Sequence, residues 1–370
     1  MTRYTLRALA AQWRIWSATV AVLALAAVLV DVCLTHRFAV TRPEVVAAAR
    51  AVGVGPAELE ASGTSIYVYS AFTAIPVVAI VGRSCVQALR TNWAGWRLAG
   101  ASPRQVLVGV VTTVAVLGLV ACAPGVLVAS AVDQPGAGDA GGLPAGGGQA
   151  MMAALLLAVL AVLLAPVLVP GLLRAWSAPL AALGGPWLLA RRSALWRSAL
   201  AAGAVGLLAL SFSFTAALMT VLGTGRAVVA AAHLHIDLNQ VDTLVMAAIL
   251  GAMALLGSVA VVAMTSRSRE QEVAVLRCAG TTIGRLRGQV VIEAGLYVGT
   301  ALIISLVPLV VVTIGEALFY SRAGLPFLPS PALGPLGLVA LVSFAALAVV
   351  LSAPVRRAHW APIGPALAAQ

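Results

Sequence analysis

Residues 274–281 read AVLRCAGT, and residues 94–101, 180 positions earlier, read AGWRLAGA. Each stretch joins one long apolar run to the next. Each carries an Arg three residues before a Gly, and each Gly is placed to stop a short helix in the left-handed conformation that follows a helix C-terminus. A turn of this kind, repeated between apolar runs, organises the rest of the chain around it.

The runs on either side are too apolar for a water-facing domain. The chain has 370 residues, is 61% hydrophobic and only 9% charged, with a mean hydropathy of +1.03. A soluble surface needs roughly 25–35% charged residues. The fold class expected is therefore an all-α integral membrane protein. Eight transmembrane spans are expected at about 15–33, 66–82, 104–132, 150–170, 198–221, 243–265, 287–315 and 334–354, each able to cross or nearly cross a hydrocarbon core of about 30 Å. The first run lacks a small-residue cleavage site and reads as a retained span.

The net charge of +11 is carried entirely by Arg. Placing both termini inside puts eighteen arginines in cytoplasmic segments and five outside. The positive-inside rule then predicts a multi-pass protein of the cell membrane with N- and C-termini cytoplasmic. Most acids, including Glu44, Asp133, Asp237 and Glu316, fall in the outer segments on this topology. The basic balance answers to the membrane and not to nucleic acid. There is no Lys, and a Walker A loop needs one on the nucleotide phosphates. The chain is thus not expected to be an ATPase; if ATP drives it, another polypeptide hydrolyses it.

The halves match beyond the turn. Trp16 pairs with Trp196 at the same offset, and RAWSAP (174–179) echoes RAHWAP (357–362). Three landmarks in the same order predict a duplication. A first four-helix repeat occupies 1–170, a cytoplasmic linker 171–197 and a second repeat 198–370. Because four is even, the repeats have the same orientation. Gly184-Gly185-Pro186 breaks any helix within the linker. The outer segments 34–65 and 222–242 are too small for an independent domain.

In the second copy, Ser268 is placed to cap a helix with Gln271 closing a capping box, and Gly280 ends it. Val273 and Leu276 share one face, against polar Arg269, Glu270, Glu272 and Arg277. In the first copy Gly100 is the stop, and Ser102 and Pro103 open the next span. Such a corner can carry movement from a docked partner into a span. The competing reading is an interfacial helix packed on its own protein.

Residues 267–282, RSREQEVAVLRCAGTT, resemble the cytoplasmic segment of FtsX-like (MacB-type) ABC transporter permeases, whose pattern is R-x-x-E-x-x-x-L-R-x-x-G-A-x followed by a span with an early Glu. Glu270, Leu276, Arg277 and Gly280 fit, and Glu293 supplies the early Glu. The first copy keeps Arg97, Gly100 and Ala101-Ser102, with Arg90 where Glu270 stands. The resemblance implies the membrane subunit of an exporter of an amphiphilic or peptide-like substrate. It would be driven by a separate cytoplasmic ABC ATPase, expected in two copies per chain and binding ATP and Mg. The ATPase is expected to dock on 90–100 and 269–280, through Arg97, Leu98, Gly100, Glu270, Val273, Leu276, Arg277 and Gly280. The family also contains mechanotransmitters that activate an outside partner and move no substrate. The large extracytoplasmic domain that many members carry has only 34–65 in its place.

Other chemistry is sparse. Cys33, Cys85, Cys122 and Cys278 have no pairing spacing and read as small apolar fillers. His233 and His235 alternate before Asp237 without further ligands nearby, so no metal site is expected. Glu293 is the acid that falls inside a span, a functional candidate by position, or else a structural partner for Arg285, Arg287 or Arg104. No mid-membrane chain of acids or histidines suggests an ion-coupled carrier, and no catalytic triad or carboxylate pair is present.

Overall fold

The computed structural model describes residues 19–29, 73–84, 145–179, 185–231, 241–264, 266–322 and 329–360, with isolated positions such as Ser70, Gly100 and Ser102. No strand occurs among the described residues. The helices are α1 (Thr19–Leu29), α2 (Thr73–Ser84), α3 (Ala145–Ser177), α4 (Gly185–Trp196), α5 (Ser198–Ala231), α6 (Val241–Met264), α7 (Ser266–Cys278), α8 (Ile283–Arg322) and α9 (Leu333–Trp360). In hydrocarbon a backbone must satisfy its own hydrogen bonds, so apolar runs of this length close into helices. Five of them, α3, α5, α6, α8 and α9, are long and apolar enough to cross a membrane. They mark a multi-pass membrane protein. The helices α1 and α2 are apolar but shorter, and the expected third span, 104–132, lies outside the described residues.

The bundle is built around α5, which packs against α3, α6, α8 and α9. Nearly all of its apolar window is buried. Large side chains such as Leu207, Leu208 and Phe212 are fully enclosed, and so are the small polar ones Ser211, Ser213, Thr215 and Thr220. Small residues bring the neighbours close. At Gly206 an added Cβ would stand 3.3 Å from Ala165 of α3, and at Gly257 of α6 it would stand 3.0 Å from Leu207 and 3.2 Å from Val77 of α2. Without a hydrophobic drive between helices in lipid, such close approach is what holds them together. The outward faces of α3 and α9 carry Leu163, Val167, Leu338 and Leu341, all exposed, as a surface solvated by acyl chains should.

Several expected boundaries move. The fourth span was expected to end at Pro170, yet α3 runs through Pro166 and Pro170 to Ser177. Proline removes one hydrogen bond, which neighbouring helices make tolerable in a membrane helix. Here Leu173 is buried and Trp176 packs on α8. Residues 171–177 therefore belong to a helix and not to the linker. Likewise α5 continues through 222–231, where an outer segment was expected. Thr220 and Thr224, on its last turns, accept hydrogen bonds from the backbone N–H of Ala332 at 3.2 Å and Ser330 at 3.3 Å. The chain before α9 is thereby sealed onto α5. Helix α4 opens at Gly185 with Pro186 in its first turn, as the break at 184–186 requires.

Candidate functional site

The short helix between α6 and α8 is present. Its sequence explains its extent: Glu and Arg fill its first turns, Arg277 sits in its last turn where a cation suits the helix dipole, and Gly280 stops it with φ +83°. Gly280 N–H donates to Arg277 C=O at 2.9 Å and Thr281 N–H to Leu276 C=O at 3.0 Å. This pair of bonds is a Schellman motif. Thr282 C=O then accepts from Leu286 N–H at 3.2 Å, and α8 begins at Ile283, three residues after the stop. The helix starts at Ser266, two residues before the expected cap Ser268. Gly100 has the same left-handed backbone, with φ +89°. Among the described residues these two glycines alone have positive φ, 180 positions apart. The rest of 90–100, with Arg97 and Leu98, lies outside the described residues, as do Trp16, Cys33, Cys85, Cys122, His233 and His235.

The left-handed turn makes a measurable claim. Gly280→Val is expected to cost about 1–2 kcal/mol, because a side chain disfavours this backbone region; the space around it is open, so no clash contributes. Gly288→Ala, also in open space but inside α8, is expected to stabilise by about 0.5–1 kcal/mol. Thermal unfolding in detergent measures both; equal effects at the two glycines would remove the corner's conformational requirement.

Three ion pairs fasten α7 to three other parts of the bundle. Arg269 is buried and grips Glu293 of α8 with both ends of its guanidinium, Nη1 to Oε2 at 2.8 Å and Nη2 to Oε1 at 2.7 Å. The Tyr297 hydroxyl donates to Glu293 Oε1 at 2.6 Å. Glu272 pairs with Arg197, at the junction of α4 and α5. Glu270 pairs with Arg357 of α9 at 2.7 Å. The first is a fully enclosed bidentate pair, the strong kind; the last is half-exposed and worth little. Burial opposes the charge on Arg269, but Glu293 outweighs it and lifts the guanidinium above its usual value. Burial, and then the nearby Arg269, push Arg197 below its usual value.

These contacts correct four expectations. Arg269 was grouped with the polar residues set against Val273 and Leu276; it is buried on the same side as they are. Glu293 takes Arg269, on the preceding helix, as its partner and not Arg285 or Arg287; Arg104 lies outside the described residues. Val273 and Leu276 were expected to form a stripe for a partner. Val273 is buried in the chain's own packing and Leu276 is packed against the same core, because the face that carries Arg269 carries them too. Both line a small cavity between α4, α7, α8 and α9, together with Gln289, Val290, Glu293 and Leu351. The outward residues are instead Val275, 58% exposed, and the corner Cys278, Ala279, Gly280 and Thr282. Finally, Glu316 was placed in an outer segment. It lies within α8 and is 1% exposed. The signal for it was available in the sequence: one acid in an apolar run can continue a helix, and length alone does not end a span.

The other end of the linker is tied down as well. Arg191 of α4 donates from Nε to Ser177 Oγ at 2.8 Å and from Nη2 to the Arg174 carbonyl at 3.3 Å, a cation on the C-terminus of α3. Trp176, from the RAWSAP stretch, donates from Nε1 to Thr300 Oγ1 at 3.0 Å and lies over Gly299, where an added Cβ would meet its ring at 3.0 Å.

No group of three or more His, Cys, Asp or Glu that could hold a metal occurs among the described residues. Comparison with protein families, with curated proteins and with solved structures finds no match for this chain.

Proposed function

We propose that this chain is the membrane subunit of an ATP-driven transporter of the FtsX-like class, an exporter moving an amphiphilic or peptide-like substrate. A separate cytoplasmic ATPase would drive it through α7 and the Gly280 corner. The observation that carries the reading is the fastening of α7. A short amphipathic helix that merely rests at an interface needs apolar contact on one side. This one is fastened by a buried ion pair to α8 and by a second pair to the start of α5, with a weak exposed pair to α9, and it ends in a corner that opens directly into α8. A push on the corner therefore reaches the central helix and two spans together. On this reading the corner lies in the cytoplasm, where the arginine bias puts it, and the partner is an ABC ATPase subunit, two copies per chain, with ATP and Mg bound there.

The docking surface is then the exposed corner, Val275 with residues 278–280 and 282, and not Val273 or Leu276. Val275→Glu places a charge on that surface without touching the buried face. Expected is loss of ATPase stimulation in the reconstituted complex, with insertion and thermal unfolding of the chain unchanged. Stimulation that survives Val275→Glu would leave α7 as an interfacial helix serving its own bundle.

A further inference from the structure

Glu316 is the second acid enclosed in α8, and it differs from Glu293 in one respect. Glu293 holds an arginine and a tyrosine hydroxyl. Glu316 is 1% exposed, and neither of its carboxyl oxygens has a hydrogen-bond partner among the described residues. It stands 23 residues beyond Glu293, about 35 Å along the helix at 1.5 Å per residue, at the opposite end of the span. One turn before it, Val312 packs in a buried cluster with Ala154 of α3 and with Ala217 and Val221 of α5. Residues four apart share a helix face, so Glu316 belongs to the face turned toward α3 and α5. Tyr320, buried, lies one turn further on. A carboxylate enclosed in apolar surroundings is costly until something compensates its charge.

We propose that Glu316 is an acceptor site for a primary ammonium group carried on an apolar molecule. The surroundings narrow the class of cation. Calcium and magnesium take six or more oxygen ligands and zinc takes four, mostly Cys or His, and no group of three or more such side chains stands among the described residues. An ammonium group needs few acceptors, and its charge matches one carboxylate. The cluster one turn away, Ala154, Ala217, Val221 and Val312, is aliphatic and suits the alkyl body of the same molecule. Two sources carry this chemistry: a transported amine, and the ethanolamine headgroup of a membrane lipid. The assignment of the amine as cargo rests on the transporter reading; the binding itself does not.

The test uses the full chain in phosphatidylcholine nanodiscs, without any ATPase, and a dodecylamine bearing a diazirine on its chain. After irradiation, mass spectrometry locates the label. Expected is saturable labelling near residues 308–322, displaced by dodecylamine and not by dodecanol. Glu316→Gln keeps the shape and removes the charge; it should reduce labelling by about tenfold or more, the scale of a hydrogen bond to a charged group. Glu316→Asp should retain most of it, which separates lost charge from lost folding. Competition by phosphatidylethanolamine in the discs would assign the site to the lipid headgroup; its absence would assign it to a transported amine. Equal labelling of the parent chain and Glu316→Gln, or equal displacement by dodecanol, overturns the proposal. Because no ATPase takes part, failure here leaves the Val275 test standing, and failure of that test leaves an amine site in a chain that is not an ATP-driven permease.

Discussion

Arg269→Met is expected to destabilise the chain by about 3–5 kcal/mol, because it leaves the Glu293 carboxylate enclosed without its cation. Tyr297 still donates one hydrogen bond to it, which is too little to replace two charge-assisted bonds. Glu293→Leu is expected to cost a comparable amount by stranding the guanidinium. The double variant should be far milder than the sum, since replacing a whole buried pair by apolar groups is often neutral. Reversible unfolding in mixed micelles, run as a double-mutant cycle, reads the coupling directly. If the singles and the double simply add, the pair is not the lock between α7 and α8. If the proposed function holds, the two single variants should also reduce stimulation of the ATPase, because α7 would then hang from its two weaker pairs.

The second large effect lies in the centre of the bundle. Phe212 of α5 is fully enclosed, and Phe212→Ala should cost about 3–5 kcal/mol through lost contact and a cavity. Leu163 of α3 is 71% exposed, facing acyl chains that refill any space. Leu163→Ala should change stability by less than about 0.5 kcal/mol, as surface substitutions do. Unfolding midpoints of the two variants, compared in one lipid, test the inside–outside assignment of both helices. A large effect at Leu163 would mean that another helix covers that face.

Much of the local structure was legible in the residues. Gly280 announced a helix stop, and Gly100 adopts the same left-handed backbone, because only a residue without Cβ takes that conformation cheaply. Gly184-Gly185-Pro186 announced a break, and α4 begins there. Ends of spans were less legible. Pro170 and Gly223 look like terminators by the rules of water-soluble helices, but α3 and α5 pass through them, since packed neighbours offset the donor that Pro170 lacks and the backbone freedom of Gly223. The first docking copy, 90–100, and the eight-span duplication remain expectations drawn from the residues.

The face of α7 was misread for a definite reason. Amphipathicity sorts residues into apolar and polar, and Arg269 was sorted with the polar ones. In this bundle the buried face is the one that contains Arg269, since Glu293 waits opposite it and the pair neutralises itself on contact. Periodicity cannot register a charge whose partner lies 24 positions away on another helix.

The residues alone establish that this chain forms apolar helices, where one of its sharp corners falls, and that no lysine is available for a nucleotide loop. Those properties are local: hydropathy over a run, a backbone conformation at one glycine, the presence or absence of a residue type. It takes the packed bundle to show that α5 is the buried centre, that α3 and α9 show leucine to the outside, that Arg269 closes on Glu293, and that Glu316 is enclosed with no partner among the described residues. Lipid tails are as apolar as leucine, so hydropathy cannot tell a helix that faces lipid from one that faces protein. In α5 the enclosed residues include serine, threonine and glycine, whose small size lets neighbouring helices approach. That selection is made by packing between helices, and it becomes visible only when the helices are in place.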